Sequence, residues 1–130
     1  SWAKDIKIGA SMINARVETV ATKPAFRSAW KSRRCLVPAS GYYEWRLEHG
    51  IKQPYWIHDL DHRIVMFAAL WENWKAADGA WVQSFAIITR AAIDPLAQLH
   101  DRMPLMLAAP ALPDWLHGDA GVAAAVATTT

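Results

Sequence analysis

The chain has 130 residues, 53% of them hydrophobic, and one cysteine. That is enough for one domain with a real core and excludes an internal disulfide. No apolar run reaches the length of a membrane span, and Ser1 to Lys7 mixes charge with Trp rather than forming a signal-peptide core, so a cytoplasmic protein is expected. The net charge of +2 hides a segregation: residues 1–34 carry +6 and residues 35–130 carry −4. A basic face for a polyanion fits this, as does an ordinary solvated surface. Eight Trp in one small domain suggest that some face a ligand.

In chain order, residues 1–12 open without a capping signal, and Ile13–Thr19 reads as an extended loop or strand end. Thr22-Lys23-Pro24 predicts a helix, with Thr22 as N-cap and Pro24 in the first turn. Phe26 and Trp30 would face inward, with Arg27, Lys31 and Arg34 on a basic side. Strand-like runs follow at Cys35–Pro38, Tyr42–Glu48, Gln53–Asp59, Ile64–Trp71 and Trp81–Arg90. His49-Gly50 predicts a hairpin, Asp59–His62 a polar turn, and Ala77-Asp78-Gly79 another turn. Asp94-Pro95 predicts a short helix through Leu99, Leu105–Leu107 a strand, and Pro110–His117 a second short helix stopped by Gly118. The Ala-rich tail to Thr130 carries too little pattern to assign.

Several residues invite chemistry. Glu44, alone among Tyr42, Tyr43 and Trp45, either points to water or sits in a site that perturbs it. His100 follows a helix end beside Asp101 and Arg102 and suits acid/base work, or is a plain surface histidine. Cys35, preceded by Arg33 and Arg34, reads as a nucleophile or as an inert strand cysteine. His58 and His62 with Asp59 and Asp61 match metal spacing only loosely and read as a polar turn; neither metal nor cofactor is expected.

The segments Asn14-Ala15-Arg16-Val17-Glu18-Thr19, Arg33 to Trp45 (RRCLVPASGYYEW), FAIITRAA and His100-Asp101-Arg102-Met103-Pro104, in this order, closely resemble the SOS-response-associated peptidase family. The resemblance implies one domain over residues 1–130, α+β but mostly β, with a bifurcated mixed or antiparallel sheet curled into a pseudo-barrel and short peripheral helices. It also implies protection of abasic sites in single-stranded DNA. In the family, an N-terminal Cys supplies amine and thiol for a thiazolidine crosslink, and peptidase-like self-processing accompanies it. Ser1 is not that Cys and Cys35 matches a strand position, so this chain resembles the middle of the domain, without the nucleophile's segment and the last strands.

Carried over by motif, Glu44, His100 and Asn14 would be catalytic, and Thr89 and Asp101 would support them. Arg16 and Arg102 would hold phosphates, Trp2 and Trp45 would stack on bases, and Arg33 and Arg34 would extend the basic groove. The implied partner is single-stranded DNA with abasic sites, bound by a monomer with no obligatory protein partner, in a bacterial-type, nucleoid-associated setting. Two other functions remain open: a non-covalent single-strand binder, and a cysteine hydrolase using Cys35 and His100.

Overall fold

The computed structural model describes residues 13–130. Its centre is β5 (Val65–Lys75), whose continuous apolar run suits a strand covered on both faces. Phe67, Ala68, Ala69 and Leu70 are all buried. On one side β5 pairs antiparallel with β2 (Arg34–Ala39), and on the other with β6 (Trp81–Ala91). The short strand β1 (Asn14–Arg16) runs parallel to β6, giving the order β1-β6-β5-β2. A separate hairpin joins β3 (Tyr42–Glu48) to β4 (Ile51–Ile57). His49 at φ 51° and Gly50 at φ 79° form its two-residue turn, where left-handed backbone matches the twist of the strands.

The sheet forks. β5 and β6 pair from Lys75 with Trp81 as far as Ala69 with Ile87. Beyond that point β6 pairs with β7 (Arg102–Pro104) instead, and the chain after β7 enters the gap. The Leu105 N–H donates to the Ile88 carbonyl, and the Leu105 carbonyl accepts from Ala68 N–H, both at 2.8 Å. The fold is thus mostly β with a bifurcated mixed sheet, as the resemblance implied. The described strands leave that sheet open rather than closed into a barrel.

One sheet face holds the core. Leu36, Ala68, Leu70, Ala86 and Ile88 point toward three short helices: α1 (Arg27–Ser32), α2 (Leu112–His117) and α3 (Ala120–Thr129). Trp115 is fully buried, packs edge-on to Trp30 at 5.5 Å, and donates its indole N–H to the Cys35 carbonyl at 2.9 Å. The opposite face is exposed in part, and it carries the candidate site.

Four local expectations change. Within the expected strand Leu105–Leu107, only Met106 makes an isolated bridge, to Phe67, and the strand proper is Arg102–Pro104. The first helix begins at Arg27 rather than near Pro24. Residues 17–26 form successive turns instead, and Thr22 Oγ1 donates to the Thr19 carbonyl at 3.4 Å rather than capping. Proline's missing N–H and the hydroxyl's local bonding both favour turns there. The segment after Asp94-Pro95 makes only a 3-10 turn, Leu96–Gln98, too short to propagate an α-helix. The Ala-rich tail is helical, because the Asp119 side chain caps it by accepting from Val122 N–H at 2.9 Å.

Candidate functional site

A cavity of about 270 Å³ opens between the exposed sheet face and the β3–β4 hairpin. Its lining includes Asn14, Glu44, Thr89, His100 and Arg102, together with Tyr42, Tyr43 and Phe67. The fold explains the convergence. Parallel pairing sets Asn14 opposite Ile87 and Arg16 opposite Thr89, so β1 presents Asn14 on the same face as β6's Thr89. The end of the 3-10 turn and the start of β7 place His100 and Arg102 above that face.

Glu44 reaches the cavity because β3 alternates. Tyr42 and Glu44 point inward, while Tyr43 and Trp45 lie on the hairpin's outer face. The Glu44 carboxylate is 23% exposed and stands 4.0 Å from His100 Nδ1. That nitrogen accepts a hydrogen bond from the Arg102 backbone N–H at 3.0 Å. The same Nδ1 lies 3.3 Å from the Arg102 carbonyl, so it accepts from that N–H when it carries no proton and can donate to that carbonyl when it does. Tyr42, packed edge-on against Phe67, is pushed up to about 12 by burial, with the Glu44 charge adding to it. Its hydroxyl stays protonated and is a donor, not a base.

Arg102 is anchored before any ligand arrives. It grips Glu18 with both nitrogens, at 2.9 and 2.8 Å, and donates to the Thr89 carbonyl at 2.9 Å and hydroxyl at 3.2 Å. The Arg102 bonds hold the Glu18 carboxyl down to about 2. Sequence reasoning passed over Glu18, although it sits in the Asn14–Thr19 motif. Arg16 is exposed, 3.9 Å from the same carboxylate.

Other expected site residues lie elsewhere. Arg34 faces the helices and donates to the carbonyls of Trp30, Lys31, Trp115 and Gly118. Arg33 pairs with Glu72 at 2.9 Å and donates to the Trp71 carbonyl at 3.2 Å. Both arginines are spent on structure rather than extending a groove at the cavity. Asp101 is exposed and contributes its backbone carbonyl to Ala92 N–H. Trp45 is exposed beside Tyr43, and Trp2 lies outside the described residues.

The pairing of Cys35 with His100 as a hydrolase couple is corrected by the sheet register. Cys35, Ala69, Ile87 and Asn14 form one row across β2, β5, β6 and β1. Cys35 is thus three strand spacings, roughly 14 Å, from Asn14. It lines a different, open depression with Trp71 and Phe85, and burial pushes its thiol up, away from thiolate. Among the described residues, no group of three or more His, Cys, Asp or Glu is placed to hold a metal, and no helix is long and apolar enough to cross a membrane.

Comparison with known proteins places the chain in a family. A model of the SOS response associated peptidase (SRAP) family matches residues 1–129. The chain belongs to the SRAP family. It is 43% identical over 117 residues to the abasic site processing protein YoaM of Bacillus subtilis, covering 89% of this chain and 52% of that protein. The abasic site processing protein YedK of Escherichia coli is 38% identical over 106 residues, or 81% of this chain and 47% of YedK. A crystal structure from Bacteroides thetaiotaomicron superposes with a TM-score of 0.84 at 29% identity, over 96% of this chain and 58% of that one. The SRAP chain described here therefore spans about half the length of these relatives.

Proposed function

We propose that this SRAP chain forms the lesion-binding part of a protein that holds abasic sites in single-stranded DNA and, in its complete form, crosslinks to them. The observation that carries the reading is the cavity: Asn14, Glu44, and His100 with Arg102 come from three separate segments and meet around a space sized for a sugar. Relatives named abasic site processing proteins support it.

The opened sugar presents an aldehyde. In the family mechanism that the resemblance implies, an amine adds to it, giving a carbinolamine. Loss of water then gives an imine, and a thiolate adds to the imine carbon to close a thiazolidine. The nucleophile, an N-terminal Cys, would come from outside residues 1–130. The groups present here handle the protons. The departing hydroxyl must be protonated, and the thiol must give up its proton. Glu44 and His100, 4.0 Å apart, supply an acceptor and a donor side by side next to the reacting carbon. Asn14 offers amide donors and an acceptor to the sugar oxygens from the sheet floor. The same Glu44–His100 pair would serve self-removal of residues preceding the Cys. Arg16, exposed and less committed to Glu18 than Arg102 is, would meet a flanking phosphate, which fixes position without reading sequence.

The test uses the full-length protein. Glu44→Gln should slow denaturant-resistant crosslinking to an abasic single strand by roughly 100-fold or more. Affinity for an intact strand should change by less than about twofold. Unchanged crosslinking would sink the assignment. A protein that never crosslinks and binds intact and abasic strands equally would instead be a non-covalent single-strand binder.

A further inference from the structure

Glu18 does not line the cavity, yet it holds a side chain that does. Strand pairing delivers it there. Thr89 of β6 pairs with Arg16 on one edge and with Pro104 on the other, so β1 and β7 meet at this residue. The Thr89 carbonyl accepts from Val17 N–H at 2.9 Å, which carries the β1 pairing one residue further and brings Glu18 up to Arg102. Arg102 closes the circuit. Its Nη1 and Nη2 donate to the two Glu18 oxygens at 2.9 and 2.8 Å. Nη2 also donates to the Thr89 carbonyl at 2.9 Å, and Nε to the Thr89 hydroxyl at 3.4 Å, so all three guanidinium nitrogens are engaged.

The backbone of the same arginine holds His100. The Arg102 N–H donates to His100 Nδ1 at 3.0 Å, and the Asp101 carbonyl between them accepts from Ala92 N–H at 2.8 Å. Among the described residues, the polar partners of the half-exposed His100 ring are this backbone and the Glu44 carboxylate, 4.0 Å away. A shift of Arg102 therefore moves His100 against Glu44. Charge acts in the same direction. Glu44 and Arg102 line one cavity, and a guanidinium without its carboxylate partner would draw Glu44 toward itself and away from His100. The Glu18 carboxyl, held down to about 2 chiefly by its hydrogen bonds from Arg102, is ionised at neutral pH, so it neutralises Arg102 and exchanges no proton itself.

We propose that Glu18 is a positioning residue for the crosslinking step: by pairing with Arg102 it keeps His100 against Glu44 and leaves the cavity wall without an uncompensated cation. The inference rests on the reading of the cavity as the lesion site, with Glu44 and His100 as its proton handlers. It adds a residue that touches neither the sugar nor the nucleophile. The consequence is a division between rate and grip. Displacing a reacting group by about 1 Å costs on the order of 100-fold in rate. Releasing Arg102 from Glu18 does the opposite for binding, because a guanidinium without an internal partner is available to a strand phosphate. A residue needed only for folding would lower both together.

The experiment makes two measurements on the full-length protein at one fixed salt concentration. One is the rate of crosslinking to a saturating abasic single strand. The other is non-covalent affinity for the same strand carrying a tetrahydrofuran analogue, which has no aldehyde. Glu18→Gln should slow crosslinking by roughly 10- to 100-fold while the affinity stays the same or tightens. In an Arg102→Met background, the same Glu18→Gln change should alter the crosslinking rate by less than about twofold, because the two side chains act as a unit. Three results overturn the proposal: Glu18→Gln crosslinks at the wild-type rate; it loses rate and affinity in parallel, as a variant with a damaged fold would; or it slows the reaction equally with and without the Arg102 side chain. Failure of the lesion reading shows in the wild type instead, as equal affinity for abasic and intact strands with no denaturant-resistant complex.

Discussion

Arg34 precedes a cysteine and follows another arginine, and in sequence it looks available to a phosphate. In the fold its guanidinium closes the C-terminal ends of two helices, donating to Trp30 and Lys31 at the end of α1 and to Trp115 and Gly118 around the end of α2. It also lies over the Trp115 ring, 5.7 Å from its centre. Helix ends leave carbonyls unpaired and carry partial negative charge, so a cation there satisfies both needs. Arg34→Met should lower unfolding free energy by about 2–4 kcal/mol, because partly buried carbonyls lose charge-assisted partners. Arg34→Lys should recover little, since one ammonium cannot span the carbonyls that a planar fork reaches. Chemical denaturation reads both; a midpoint unmoved in the Met variant would contradict the structural assignment. Cys35 makes the same point in reverse: two preceding arginines suggested thiolate character, but neither points at the sulfur's environment, and burial decides the matter.

Among the elements, the strands and turns were legible because their signals are local. Alternation put Tyr42 and Glu44 on one face of β3 and Tyr43 and Trp45 on the other, and His49-Gly50 supplied the two left-handed residues its turn needs. The helices were less legible. α1 is only Arg27–Ser32 and starts without a side-chain cap, so tertiary burial of Ala29 and Trp30, rather than local propensity, holds it. α3 was missed because alanine gives no amphipathic contrast. Its start was nevertheless written in Asp119, whose side chain accepts from Val122 N–H. Asp119→Ala should cost about 1 kcal/mol, the usual worth of an N-cap, and thermal melting is the direct measurement. No loss of stability would mean that Ala123, Val126 and Ala127, buried against the core, hold the helix without its cap.

At the scale of the whole molecule, the Glu18–Arg102 pair ties the loop after β1 to β7 across 84 residues of sequence, with Thr89 of β6 as the third member. It joins both edges of the forked region and sets one wall of the cavity. Its pH behaviour follows from the sign of the shift. Glu18 lies at about 2 in the fold, against 4.5 for a free side chain. Its contribution is therefore complete above about pH 4.5 and is lost as pH falls toward 2. The carboxylate is 46% exposed, so solvent screening limits the contribution to on the order of 1 kcal/mol. Glu18→Gln should be less stable than the wild type at pH 7, with the gap shrinking as both are titrated from pH 4.5 toward pH 2. A gap that stays constant over that range would show that the carboxylate's charge is not what holds Arg102.

The sequence by itself determined the family, the β-rich class, the hairpin and its turn, and which residues were candidates for the chemistry, because motif order, alternation and turn chemistry are encoded within a few neighbouring positions. Only the tertiary structure decided which of those residues meet. Asn14, Glu44, Thr89, His100 and Arg102 share a cavity because parallel pairing of β1 with β6 and the forking of β5 from β6 bring distant segments to one sheet face. Cys35, Arg33 and Arg34, adjacent in sequence to the Glu44 strand, are carried away from that cavity by the same sheet: strand register moves a side chain by roughly 5 Å per strand crossed and flips its face at every residue.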